Sequence, residues 1–146
     1  AMPEVTTAKR LIGFDYGLKQ IGVASGQTLT GFATGLTILK AVDGIPDWSE
    51  VEKLLRDWNP DLVVVGLPLN MDDSESELST RARKFARRLQ GRFSVAVQMV
   101  DERLTSREAK SIGRQQGYQD LTKIDHVAAS LIVQSWLDSP SIGSPP

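Results

Sequence analysis

RLIGFDYGLKQIGVASG, residues 10–26, is the stretch that decides the fold. Residues 10–16 are an apolar run reaching Asp15 and Tyr16, and QIGVASG at 20–26 is a second one. Only GLK lies between them, and Gly17 suits a tight turn, so the segment reads as a β-hairpin. Working outward, FATGLTIL at 32–39 is a third strand, weakened by Gly35. Asp47 and Glu50 have the spacing of a capping box before the amphipathic run Val51, Leu54, Leu55, Trp58, a helix that must stop before Pro60. DLVVVG at 61–66 is continuous and β-branched, the pattern of a parallel strand covered on both faces.

Leu67 to about Ser76 reads as a loop, after which Leu78, Ala82, Phe85, Ala86 and Leu89 recur at helical spacing up to a stop at Gly91. FSVAVQMV at 93–100 is a further strand, Thr105 and Glu108 cap a helix to about Gln116, and a last helix covers 123–138. The order β, β, β, α, β, α, β, α, α predicts an α/β protein, a mixed five-stranded sheet with helices on both faces. Residues 10–138 are expected to form a single domain, with 1–9 and 139–146 as flexible tails.

Composition narrows the function classes. With 146 residues, 40% hydrophobic and 24% charged, the chain has ordinary globular proportions. No apolar run approaches the roughly 20 residues that span a bilayer, and the first ten residues lack a signal-peptide core, so no membrane partner is expected. The absence of cysteine points to a reducing cytoplasm. A net charge of −1 excludes a wholly basic nucleic-acid coat, yet the charge is polarised: residues 70–79 hold four acids and no base, residues 80–92 six bases and no acid.

Three acidic signals stand where apolar elements end or begin: Asp15, the Asp101–Glu102 pair and Asp125. In open α/β sheets the functional crevice lies beyond the carboxyl ends of the parallel strands, where the first two signals fall. Asp125, Ala128, Ala129, Ile132 and Trp136 follow i, i+3, i+4, i+7, i+11, which sets Asp125 on the stripe that faces the sheet. A charge there needs compensation. Oxygen donors in a chain with no Cys and one His, His126, suit the hard cations Mg²⁺ and Mn²⁺. Alternation sets Asp101 and Glu102 on opposite faces and does not choose between them. Lys19, Arg81 and Arg103 are candidate phosphate contacts, Arg81 as part of a basic helix that could track a phosphate backbone.

FDYGLKQIGVA, VVGLPLNMDDSES, DERLTS and KIDHVAAS, in this order, resemble the YqgF (RuvX) family of bacterial proteins over about Arg10 to Asp138. The resemblance implies an RNase H-like fold, kinship with the Holliday junction resolvase RuvC, and nuclease activity in processing the 5′ end of precursor 16S ribosomal RNA. It therefore favours RNA over DNA as partner. The family's acids fall on Asp15, Glu102 and Asp125, which selects Glu102 over Asp101; Asp15 would bridge two ions and the other two would hold one each. RuvC-like resolvases carry a further acid where this chain has Ala128. Two alternatives remain open: a Holliday junction resolvase-like DNA nuclease, and a non-catalytic nucleic-acid-binding module of the same fold. An actin-like or sugar-kinase-like ATPase, whose first phosphate loop DYGLKQIGVA also resembles, would need two such lobes.

Overall fold

The opening segment forms its hairpin: β1 (Arg10–Asp15) pairs antiparallel with β2 (Gln20–Gln27), Asp15 opposite Gly22. A Cβ at Gly17 would lie 2.5 Å from the Gln20 carbonyl oxygen, so the turn has no room for a side chain. The computed structural model describes residues 9–102 and 121–146, with backbone alone for 121–127. β3 (Phe32–Val42) pairs with β2 across a bulge at Val23/Ala24 and turns through Asp43 and Gly44, at φ 50° and 78°, into β4 (Ile45–Pro46). Among the described residues the sheet thus has six strands where five were expected. Two residues are too few to display a strand's alternation in sequence.

α1 (Trp48–Trp58) starts at Asp47, whose carboxylate accepts the Ser49 N–H at 2.9 Å and the Ser49 hydroxyl at 2.6 Å. It ends at Asn59, in the left-handed region at φ 44°, ahead of Pro60. β5 (Leu62–Leu67) is buried along its whole length, and α2 (Glu77–Phe93) begins with a capping box between Ser76 and Ser79. α2 runs past Gly91. The Phe93 ring reaches Trp48, at 6.3 Å between centroids, and Ser94 at φ 53° takes the left-handed cap. β6 therefore spans only Val97–Asp101. α3 (Leu121–Asp138) closes the helical set. The expected helix at 105–116 and residues 1–8 of the expected leading tail lie outside the described residues.

The sheet order is β4-β3-β2-β1-β5-β6, with β1, β5 and β6 parallel neighbours. Alternation then sorts the strand residues into two layers. On one face Ile12, Phe14, Val63, Val65, Val97 and Met99 pack under α1 and α2. On the other, Leu11, Val64 and Val100 pack under Ala129, Ile132, Val133 and Trp136 of α3.

Residues 139–146, expected as a flexible tail, are held against the sheet. After a 3₁₀ turn at Pro140–Ile142, Ser144 bridges Met99 with hydrogen bonds in both directions, at 2.7 and 3.0 Å. Arg83 donates to the Pro145 carbonyl at 3.2 Å. β6 stands at the edge of the sheet, and the Ser144 backbone supplies partners for both outward groups of Met99.

Candidate active site

Asp15 is the last residue of β1 and shares its face with Leu11 and Gly13, the face under α3. Glu102 follows β6 directly, and its N–H donates to the Leu67 carbonyl at 3.1 Å, extending the β5–β6 ladder by one step. Its side chain folds back over Gly66: a Cβ there would stand 2.7 Å from Glu102 Oε2 and 2.6 Å from Ile132 Cδ1. Gly66 is thus the residue whose missing side chain makes room for the carboxylate. The reading of the sequence missed it, although a glycine closing a β-branched run is a signal of close approach.

The two carboxyl groups meet. Although Glu102 as a residue is only half-buried, its Oε2 is shut off from solvent. Burial first, then the charge of Asp15 and a hydrogen bond to it, and last the charge of Asp101, push the Glu102 carboxyl from its ordinary 4.5 up to about 8. Near neutral pH, then, Glu102 keeps a proton and donates it to Asp15 when no cation is present.

Geometry also separates the adjacent acids. Asp101 pairs in register with Leu67 and falls, by alternation, on the face of Val97 and Met99 under α2. Glu102 falls on the α3 face with Asp15. α3 runs antiparallel to β1: Leu137 lies against Gly26 beside the strand's start, and the Ala129 carbonyl against Gly13 nearer its end. The helix therefore enters from the carboxyl edge of the sheet, one turn before Ala129, where its backbone carries Asp125. The side chains of Asp125 and His126 lie outside the described residues.

The candidate phosphate contacts are scattered. Lys19 is exposed in the β1–β2 turn, at the Asp15 end of the sheet. Arg81 is occupied, its guanidinium 2.9 Å from Asp43 and 3.5 Å from Glu77. Arg103 lies outside the described residues. Among the described residues no three His, Cys, Asp or Glu side chains form a cluster able to hold a metal ion. Two oxygen donors do converge, and a buried carboxyl carrying a displaced pKa beside a second carboxylate is a donor set that fits a hard divalent cation.

The family model described as "RuvX: Holliday junction resolvase" matches residues 9–139. The chain belongs to the RuvX family. A Pseudomonas putida relative named "Putative pre-16S rRNA nuclease" is 56% identical over 133 residues, covering 88% of this chain and 94% of the relative. A relative of the same name from Shewanella denitrificans is 52% identical, covering 92% and 98%. Among solved structures, RuvC of T. thermophilus in complex with a Holliday junction substrate aligns with a TM-score of 0.58 at 15% identity, covering 94% of this chain and 99% of that one. The Fowlpox virus resolvase bound to Holliday junction DNA aligns at 0.55 and 15%, covering 90% and 98%. These likenesses establish the RNase H-like fold for this RuvX chain. No helix among the described residues is long and apolar enough to cross a membrane.

Proposed function

We propose that this RuvX protein is a metal-dependent nuclease that hydrolyses phosphodiester bonds in the 5′ region of precursor 16S ribosomal RNA, in the cytoplasm. The observation that carries the reading is the contact of Asp15 and Glu102 at the carboxyl edge of three parallel strands. The names of the relatives supply the substrate class.

Asp15, Glu102 and Asp125 are the residues proposed to hold Mg²⁺ or Mn²⁺. When bound, such a cation lowers the pKa of the attacking water and offsets charge on the leaving oxygen. Glu102 must first release its proton, so ligand exchange at this site is coupled to pH. Asp15 then serves as the fixed donor, since its backbone is locked in the hairpin opposite Gly22. Lys19, in the turn that leaves β1, and Arg103, next in sequence after Glu102, are the residues proposed to orient the phosphate. The carboxylates provide no nucleophile of their own, and none is needed when water attacks.

The test is incubation of the purified protein with precursor 16S rRNA, single-stranded RNA and four-way DNA junctions, in Mg²⁺, Mn²⁺ or EDTA. Cleavage of the ribosomal precursor that EDTA abolishes is expected, and Asp15→Asn should lower it by at least about a thousandfold while leaving the thermal transition in place. Cleavage of junctions alone would move the assignment to a DNA resolvase. Undiminished cleavage by Asp15→Asn would refute the site.

A further inference from the structure

Outside the carboxylate edge, a groove of about 380 Å³ lies between α2 and the β3–β4 turn. Its walls include Tyr16, Asp43, Trp48, Arg81, Lys84 and Arg88. Tyr16 is the next residue after Asp15 and faces the opposite side of the sheet, so the groove begins one residue from the proposed site, around the carboxyl edge.

The helix presents its bases on two flanks of the buried stripe Ala82, Phe85, Ala86, Leu89. On one flank Arg83 is held by Glu75 at 2.7 Å and by the carbonyl of Pro145. On the groove flank Arg81 is bound by Asp43 and Glu77, which fixes the turn and neutralises that cation. Lys84 and Arg88 come next along the same flank, and among the described residues neither has a carboxylate within 4.0 Å. Helix neighbours four residues apart are about 5–6 Å from each other, close enough for consecutive phosphates of one extended strand.

The groove offers little for bases. One face of Trp48 is stacked on Phe85 at 5.8 Å and the Arg92 guanidinium sits 4.5 Å over the ring. The Tyr16 ring packs on Phe85 at 5.2 Å and its hydroxyl donates to the Gly44 carbonyl. What remains accessible is positive charge without a stacking platform.

We infer that Lys84 and Arg88 hold the phosphodiester backbone of the strand that flanks the scissile bond, independently of its sequence. The inference rests on the nuclease reading for the word "scissile"; the binding itself is testable apart from it. Each phosphate contact on single-stranded nucleic acid contributes about 0.7 to the slope of log affinity against log salt, so losing both should reduce the slope by roughly 1.4.

The experiment measures fluorescence anisotropy of a labelled single-stranded fragment of precursor 16S rRNA, in EDTA and over a range of salt. Four proteins are compared: the natural chain, Lys84→Ala/Arg88→Ala, Lys84→Ala alone, and Lys53→Ala/Arg56→Ala, which removes the same charge as the first double variant from α1. The groove variant should bind at least tenfold more weakly at low salt with the reduced slope, and single-stranded DNA of the same length should show the same change. Lys84→Ala alone, at an exposed position, should give about half the slope change and guards against a folding artefact. An unaltered slope in the groove variants, an equal loss in the α1 variant, or a change confined to RNA would each overturn the assignment. If the natural chain binds as expected yet cleaves nothing, the nuclease reading falls and the groove stands. Normal cleavage with an unaltered slope removes the groove and leaves the nuclease in place.

Discussion

The two faces of the sheet are built on opposite plans. Under α1 and α2 the strands send out bulk: Phe14 meets Phe85 edge-on at 5.5 Å, and Tyr16, Trp48 and Phe93 extend the aromatic cluster. Under α3 the same strands present Gly13, Gly26 and Gly66, and a Cβ at any of the three would collide with Val133 or Ile132. Within β1 the alternation runs Gly13, Phe14, Asp15, so each aromatic anchor is flanked by residues that leave space on the reverse side. The lesson is that one face supplies cohesion while the other supplies proximity. Only the second could accept a charged pair, because a carboxyl group close to a helix needs room that large side chains would fill.

The comparison can be broken first on the cohesive face. Phe14→Ala should lose about 3–5 kcal/mol in denaturant unfolding, because it removes a fully buried ring from the aromatic cluster. The next effect belongs to the other face and has the opposite sign. Since folding raises the Glu102 pKa to about 8, its stabilising contribution in the metal-free protein is fully present below its unfolded value near 4.5 and fades as pH rises toward 8. Glu102→Gln, a permanent mimic of the protonated form, should therefore be more stable than the natural chain by a few kcal/mol near pH 8 and equal to it near pH 4. Thermal melts at the two pH values check this. On the proposed metal site, Mn²⁺ should raise the melting temperature of the natural chain, and the same variant should lose that rise.

A subtler break is Gly66→Ala, which places a methyl group against Ile132 Cδ1 and Glu102 Oε2. It should cost about 1–3 kcal/mol and displace the carboxyl, so that cleavage falls further than stability alone explains. Gly91→Ala sets the baseline. That glycine lies in α2 with nothing within 4 Å of its would-be Cβ, and the substitution should stabilise by about 0.4–1 kcal/mol through the unfolded chain alone.

Much of this arrangement is legible in the chain, and the exceptions have physical reasons. The opening hairpin, the doubly buried β5 and the start of α1 at Asp47 follow from alternation and caps, which are local properties. Gly91 misleads because a glycine near a helix end is a stop signal only if the chain needs a left-handed residue there, and Ser94 takes that role after Phe93 has been drawn toward Trp48. β4 and the docking of Ser144 depend on backbone pairing with no side-chain pattern. Asp15 and the Asp101–Glu102 pair are visible as acids closing apolar runs, and the contact of Asp15 with Glu102 follows from parallel strands that end at one edge on either side of β5. Arg81 is different: its partner Asp43 is 38 residues away in a turn, and nothing in the spacing announces that this cation is already spoken for.

The small attachments at the rims of the sheet have a consequence for how the protein survives in a crowded solution. LVVVGL, at the centre, is the sort of segment that polymerises when sheets can grow sideways. Growth at one side meets Ser144, which occupies both backbone groups of Met99. At the other it meets β4 and the Gln134 amide, which takes the Ala33 N–H and donates to the Gly31 carbonyl. A few residues that contribute almost nothing to the core thus act as stoppers against fibrillar stacking.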